Sequence, residues 1–284
     1  MLVFGVIVAY NTDTKRLASV FRTLVPQCSV VLADNSEDPI CSAEIRACVA
    51  QFGGLYIAMG GNQGIGAAQN MAIAAAWNAG AEAVLLLDDD SIPAPDLVAV
   101  LAACRSPVLG ERAVFCANAL DAQGRDIGNA RGHSGLMPRC RDMMSSGTFL
   151  RRDVFETVGS FDAGLFIDCV DFDWGWRAQR LGVSIYVCRE TAITHCLGEG
   201  LAAGVRIPSP IRHYYQFRNV LRLMTRGYTP WGWRASQAIK LPIKLMLIPM
   251  LMPNPMMRIR YAIAGIHDAL RGRGGKWNKP ASSG

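Results

Sequence analysis

Apolar and polar positions fall into two kinds of block along the first hundred residues. Short runs rich in Val, Ile and Leu occupy 3–9, 29–33, 55–59 and 83–87, each closed by polar residues or glycine. That length and composition predict buried strands. Between them lie longer stretches at 13–24, 43–51, 66–78 and 95–103, the third of them rich in alanine, which read as helices. The strand–helix rhythm predicts an α/β fold with a mainly parallel sheet and helices on both faces. Ligands of such sheets bind outside the carboxyl ends of the strands, so the residues that close each run are candidates for chemistry.

Those closing residues are Ala9-Tyr10-Asn11, Asp34-Asn35-Ser36, Asn62 within Gly60-Gly61-Asn62-Gln63-Gly64-Ile65-Gly66, and Asp88-Asp89-Asp90 followed by Ser91 and Pro93. Three adjacent carboxylates repel one another unless a cation neutralises them, and hard oxygen ligands suit Mg²⁺ or Mn²⁺, ions that also hold nucleotide phosphates. A solvated acidic turn is the plainer reading of the same residues. Asp34 is placed to accept a hydrogen bond from a pyrimidine N–H, although Asp-Asn-Ser is also an ordinary turn or cap. The glycine turn permits close approach of a ligand and leads into a helix N-terminus, which favours anions. It reads GxxGxG at the third strand, not the GxGxxG of a dinucleotide site.

A second cluster lies at 145–177. It contains Ser145-Ser146-Gly147-Thr148 and then Asp168-Cys169-Val170-Asp171-Phe172-Asp173-Trp174-Gly175-Trp176-Arg177. Asp168 and Asp171 are expected on one helical face, and Asp173 pairs with Arg177 at i, i+4. Asp171 is then left free at the helix start, where it has the chemistry to take a proton from a hydroxyl. The alternative is an acidic helix N-terminus complementing the macrodipole, with both tryptophans as packing residues.

Half of the 284 residues are hydrophobic, and the chain suffices for one large domain or a domain with an appendage. The nine cysteines show no CxxC or zinc-like spacing, which points to a reducing compartment and to thiols used as small core residues. The apolar start has no basic leader and reads as the first strand, not a signal peptide. The formal charge of +6 conceals a split. Residues 201–284 carry fourteen Lys/Arg against one acid, Asp268, so that segment is +13 and residues 1–200 are −7. The segment 236–255 is apolar and Met/Leu-rich but interrupted by Lys240, Pro242, Lys244, Pro249 and Pro253. Two lysines at mid-segment disfavour a spanning helix; basic residues flanking apolar ones suit an anionic membrane surface. Packing on the catalytic domain is the duller reading. Nucleic-acid binding, with Trp231, Trp233 and Tyr228 stacking on bases, leaves the strand-end acids unexplained. A metal-dependent nucleotidyl or phosphoryl transferase would want a phosphate-gripping P-loop or lysine, which the glycine turn lacks.

Taken in order, Val8-Ala9-Tyr10-Asn11, Asp34-Asn35-Ser36, Asn62-Gln63-Gly64 through Asn70, Leu87-Asp88-Asp89-Asp90-Ser91, Ser146-Gly147-Thr148, the Asp168 to Arg177 run and His195-Cys196-Leu197-Gly198-Glu199 resemble family 2 glycosyltransferases of the GT-A fold. Among these, the chain is most similar to bacterial rhamnosyltransferases of cell-surface polysaccharide and O-antigen assembly, over about residues 3–225. The resemblance implies a metal-dependent, inverting transfer of L-rhamnose from dTDP-β-L-rhamnose to a hydroxyl of a saccharide or lipid-linked saccharide, with UDP-sugar donors as the alternative. It assigns Asp171 as catalytic base and Asp88, Asp90 and His195 as holders of Mg²⁺ or Mn²⁺. Ala9, Tyr10, Asn11, Asp34, Asn62, Gly64, Asn70, Asp88, Asp89, Ser146, Gly147 and Arg218 fall at donor positions, and Asp168, Asp173 and Trp174 at acceptor positions. Asp89 replaces the amide that some rhamnosyltransferases carry. The expected organisation is a catalytic domain over 1–225, with a nucleotide half to about 110 and an acceptor half beyond it. A basic, apolar helical extension over 226–270 and a flexible tail over 271–284 follow. Its expected location is cytoplasmic, peripheral on the inner face of the plasma membrane.

Overall fold

The computed structural model describes residues 1–128, 134–195 and 208–278. Its first half is the predicted alternation: β1 (Val3–Ala9), α1 (Thr14–Leu24), β2 (Ser29–Asp34), α2 (Pro39–Gln51), β3 (Leu55–Ala58), α3 (Ile65–Asn78) and β4 (Ala83–Asp88). Asp13 caps α1 by accepting from the Lys15 amide, and Asp38 caps α2 with Pro39 in its first turn. That proline cap starts α2 four residues before the position expected from apolar spacing. The second half contains β5 (Ser91–Pro93), α4 (Leu97–Ala103), β6 (Ala113–Asp121), β7 (Thr148–Arg151), α5 (Arg152–Val158), α6 (Val170–Arg180) and β8 (Ser184–His195). Three helices close the chain: α7 (Arg212–Met224), α8 (Trp231–Leu251) and α9 (Pro255–Leu270).

One eight-stranded sheet runs β3-β2-β1-β4-β7-β6-β8-β5. The β3-β2-β1-β4 half is parallel throughout, whereas β7 is antiparallel to both its neighbours and β5 is antiparallel to β8. The register aligns the carboxyl ends: Ala9 lies opposite Asp34, and Val8 opposite Asp88. Two apolar cores lie on the two faces of the sheet. One gathers Leu17, Phe21, Leu32, Leu85 and Leu101, the other Val6, Ala72, Leu86, Trp174 and Ile185. Alternate residues of β4 therefore serve opposite cores, as the period of a strand buried on both faces requires.

The expected C-terminal helical extension is present as α8 and α9. Pro242 and Pro249 sit inside an uninterrupted α8. Ile248 of α8 packs on Phe217 of α7 and Ala262 of α9. Gly265 of α9 meets α7 so closely that a Cβ there would lie 2.3 Å from the Tyr214 carbonyl oxygen. No helix among the described residues is long and apolar enough to cross a membrane. The expected flexible end is docked as far as the described residues go. The Gly275 amide donates to the Gly164 carbonyl at 2.7 Å, the Trp277 amide donates to the Tyr215 hydroxyl at 3.0 Å, and Lys276 pairs with Glu37 at 2.5 Å. The Trp277 ring lies against Tyr214 and Tyr261. The reason is packing: a tryptophan and two peptide groups find partners on α7, α9 and the 163–165 turn.

Candidate active site

The aligned strand ends open onto a cleft of about 780 Å³. Tyr10, Asn62, Gly64, Asp88, Asp89 and Asp90 line it together with the 166–172 segment, which carries Asp168 and Asp171. A second cleft of about 830 Å³, sharing Asn62, is lined by Asp34, Ser36, Arg46, Tyr56 and Lys276.

Asp88 ends β4 and Asp90 precedes β5, which pairs antiparallel with the end of β8 so that Ser91 faces His195. One ligand atom from each of Asp88, Asp90 and His195 falls within 4.8 Å of the others. A relay of hydroxyls fixes this corner. The Asp88 amide donates to Ser146 Oγ (3.1 Å), Ser146 Oγ donates to Ser91 Oγ (2.9 Å), and Ser91 Oγ lies 3.0 Å from His195 Nδ1. His195 Nε2 is buried and has no hydrogen-bond partner among the described residues. Burial and the neighbouring Asp90 carboxylate push Asp88 up to about 7. His195 Nδ1 lies 3.7 Å from Asp90 Oδ1, and an imidazole gathered with two carboxylates, one held reluctant to ionise, fits a divalent cation. Asp89 plays a different part: it accepts from the Tyr10 amide (3.2 Å) and from Thr12 Oγ1, tying β4 to the β1–α1 loop.

Asp171 lies in the first turn of α6. Burial pushes its carboxyl up to about 6 against the pull of the Phe172 amide, which donates to Oδ1 at 2.9 Å. Asp168 does not share its helical face. It lies before α6 in the left-handed region (φ +64°), and Arg212 holds it through contacts of 2.9–3.2 Å. Asp34 is buried at the second cleft. Burial raises its pKa, but donation from Ser36 and Tyr56 outweighs this and leaves the carboxyl below its ordinary value.

Several expected contacts are structural in this geometry. Asp173 is fully buried and held by Arg177, Arg226 and Tyr228 instead of facing an acceptor. Trp174 is fully buried, its Nε1 donating to the Gly159 carbonyl at 2.7 Å. Arg218, expected near the diphosphate, is also fully buried and donates to the carbonyls of Gly164, Leu165 and Gly275. It braces the turn before Asp168 from behind. Asn70 is bonded both ways to the Phe161 backbone at 2.9 Å. Ala9 is buried, the Asn11 amide donates to Ser36 Oγ at 2.8 Å, and Gly147 packs on Ala117 and Ile193. Asn62 Oδ1 accepts from the Gly64 amide and from Asn35, shaping the glycine turn. At Gly64 (φ +88°) a Cβ would lie 2.6 Å from the Phe166 carbonyl oxygen, which accepts from the Ile65 amide at 2.7 Å. The first amide of α3 therefore serves this protein contact rather than an anion. Residues 196–199, quoted in the resemblance, lie outside the described residues.

Sequence reasoning missed a basic wall. Arg212 of α7 and Lys240 and Lys244 of α8 line the same cleft as the carboxylates. Only the odd placement of two lysines in an apolar segment signalled them.

The chain belongs to glycosyl transferase family 2, whose model matches residues 6–159. It is 28% identical to the dTDP-rhamnosyl transferase RfbF of Shigella flexneri over 97% of this chain and 98% of that protein. In solved structures the same GT-A architecture recurs in S. aureus TarS, crystallised with UDP-GlcNAc (TM-score 0.61, 14% identity, 95% of this chain and 81% of that one). It recurs again in the mannosyltransferase PcManGT of Pyrobaculum calidifontis with GDP-Man and Mn²⁺ (TM-score 0.54, 12% identity, 95% and 73% covered).

Proposed function

We propose that this glycosyltransferase moves L-rhamnose from dTDP-β-L-rhamnose, with inversion, to a hydroxyl of a saccharide acceptor in surface polysaccharide synthesis. The observation that carries the donor is the near full-length likeness to a dTDP-rhamnosyl transferase, which extends through the C-terminal helices. In this reading the nucleoside occupies the second cleft, where Asp34 accepts from the pyrimidine N–H, and Asn62 stands between the two clefts. Asp88, Asp90 and His195 would hold Mg²⁺ or Mn²⁺, which stabilises charge on the departing diphosphate when bound. Asp171 takes the proton of the acceptor hydroxyl as that oxygen bonds to the anomeric carbon, and the carbon–oxygen bond to the diphosphate breaks on the opposite side. A β-linked donor then gives an α-linked rhamnoside, with no sugar–enzyme bond. The raised pKa of Asp171 suits this role, since a base near the working pH both accepts the proton and is ionised beforehand.

A membrane-linked acceptor is supported by α8. Its outward side exposes Ile239, Ile243, Met246, Leu247 and Met250, with Met250 76% exposed, on a segment whose net charge is +13. A peripheral position on an anionic bilayer covers this apolar stripe and matches its charge. Thermal shift with dTDP, UDP and GDP, each with and without Mn²⁺, tests the donor. A ligand at a hundred times its dissociation constant stabilises by about 2.7 kcal/mol. The largest gain is expected for dTDP with metal; a larger one for UDP would move the donor to another sugar nucleotide.

A further inference from the structure

Five carboxylates and three cations line the cleft. Asp88 and Asp90 belong to the cation-binding corner, Asp89 is tied to the β1–α1 loop, and Asp171 is the proposed base. The three cations, Arg212, Lys240 and Lys244, all come from α7 and α8 and face the side of the cleft that carries Asp168 and Asp171. Asp168 pairs with Arg212 and also favours the charged form of the nearby Lys244. Lys244 donates to the neutral Gln216 Oε1, and burial beside Arg212 holds its ammonium below the usual lysine range. Lys240 has no hydrogen bond or ion pair among the described residues. Lys240, which is exposed, and Lys244 are one helical turn apart on α8, and both line the cleft with Gln237 and Leu241. Burying the Lys244 ammonium against a neutral amide, with Lys240 unpaired on the same cleft, carries a desolvation cost. An anion with several acceptor oxygens removes that cost and satisfies both, with Arg212 supplying planar donors beside them.

We infer that Arg212, Lys240 and Lys244 form an anion subsite for a phosphate or diphosphate carried by the acceptor, separate from the corner that holds the donor's diphosphate. This rests on the proposed function and names the acceptor class more closely: a saccharide on a phosphorylated lipid. The same helix offers its apolar stripe outward, so one element grips the phosphate on its inner side and faces the bilayer on its outer side. Such an acceptor is presented to Asp171 with its charged linker at α8 and its terminal sugar hydroxyl deeper in the cleft.

The test is calorimetric. The protein is first saturated with dTDP and Mn²⁺, which fills the donor corner and independently checks the donor reading. Farnesyl diphosphate, inorganic pyrophosphate and farnesol are then titrated in turn into the wild type and into the K240A/K244A double variant. Neither lysine forms an ion pair among the described residues, so the variant should fold, and its thermal midpoint checks this. Wild type should bind farnesyl diphosphate at least tenfold more tightly than the double variant, with dTDP affinity unchanged within twofold. Binding of farnesyl diphosphate above pyrophosphate identifies a lipid-borne phosphate; equal binding identifies a subsite for the phosphate alone. Equal affinity of wild type and variant for farnesyl diphosphate would overturn the inference. So would a parallel loss of dTDP affinity, because the lysines would then serve the donor. Absence of dTDP binding in the wild type would instead count against the donor assignment.

Discussion

Replacing Asp171 by Asn should slow transfer severely while leaving the fold at least as stable. The two effects have one origin. Burial lifts the carboxyl from 3.8 to about 6, and each pKa unit is worth about 1.4 kcal/mol. At pH 8 the ionised side chain therefore costs the folded state up to about 3 kcal/mol, a cost that asparagine does not carry. The amide keeps an oxygen able to accept from the Phe172 N–H, so the first turn of α6 stays intact. The sign sets the pH window. The folded pKa lies above the unfolded one, so wild-type stability falls as pH rises between about 4 and 6. The advantage of the variant is thus full at pH 8 and vanishes near pH 4. Thermal unfolding at pH 8 should show the variant higher by several degrees, at about 2 °C per kcal/mol for a chain of this size. Its rate should fall by about 10² to 10⁴-fold, and wild-type kcat/KM should decline below pH 6 as the base is protonated. Activity retained within tenfold, or a variant markedly less stable at pH 8, would refute the reasoning.

Stabilisation by Mn²⁺ should require His195 and should weaken as pH falls through 7, because a proton on Asp88 competes with the cation; titrating Tm against Mn²⁺ for wild type and H195A at pH 6 and 8 reads this. Arg226→Ala removes a partner of the buried Asp173 and of Asp162, so denaturant unfolding should show a loss of about 3 kcal/mol. Deleting residues 271–284 strips Arg218 of the Gly275 carbonyl and Tyr215 of the Trp277 amide. The truncated chain should unfold at lower denaturant by about 1–3 kcal/mol, whereas a loose tail would leave the midpoint unchanged. Co-sedimentation with phosphatidylglycerol vesicles should exceed that with phosphatidylcholine and should drop when Met246 and Met250 are changed to Glu.

The parallel half of the sheet was legible because parallel strands are short apolar runs, and each run announces its own end. Asp34, Asn62 and Asp88 are strand-end residues by pattern alone, and the register brings two of those ends level. Helical residues were harder to read. Spacing shows that Asp173 and Arg177 meet, but not that Asp173 is fully buried while Asp171, two residues earlier, reaches the cleft. Arg218 looks like a phosphate ligand in sequence, yet its guanidinium is spent on carbonyls of turns far away along the chain. Lys240 and Lys244 enter the cleft only because α8 packs on α7 and α9, a long-range event that local periodicity does not encode. The departure of Asp168 from the helical face follows from its left-handed backbone, which a non-glycine residue gives little reason to expect.

The measurement closest to the central claim is turnover of dTDP-β-L-rhamnose with Mn²⁺ and a lipid extract from the cells that make this protein, followed by NMR. Release of dTDP and an α-linked rhamnosyl lipid are expected, both strongly diminished in D171N. A β-linked product, undiminished turnover by D171N, or transfer from a UDP-sugar while dTDP-rhamnose stays intact would contradict it.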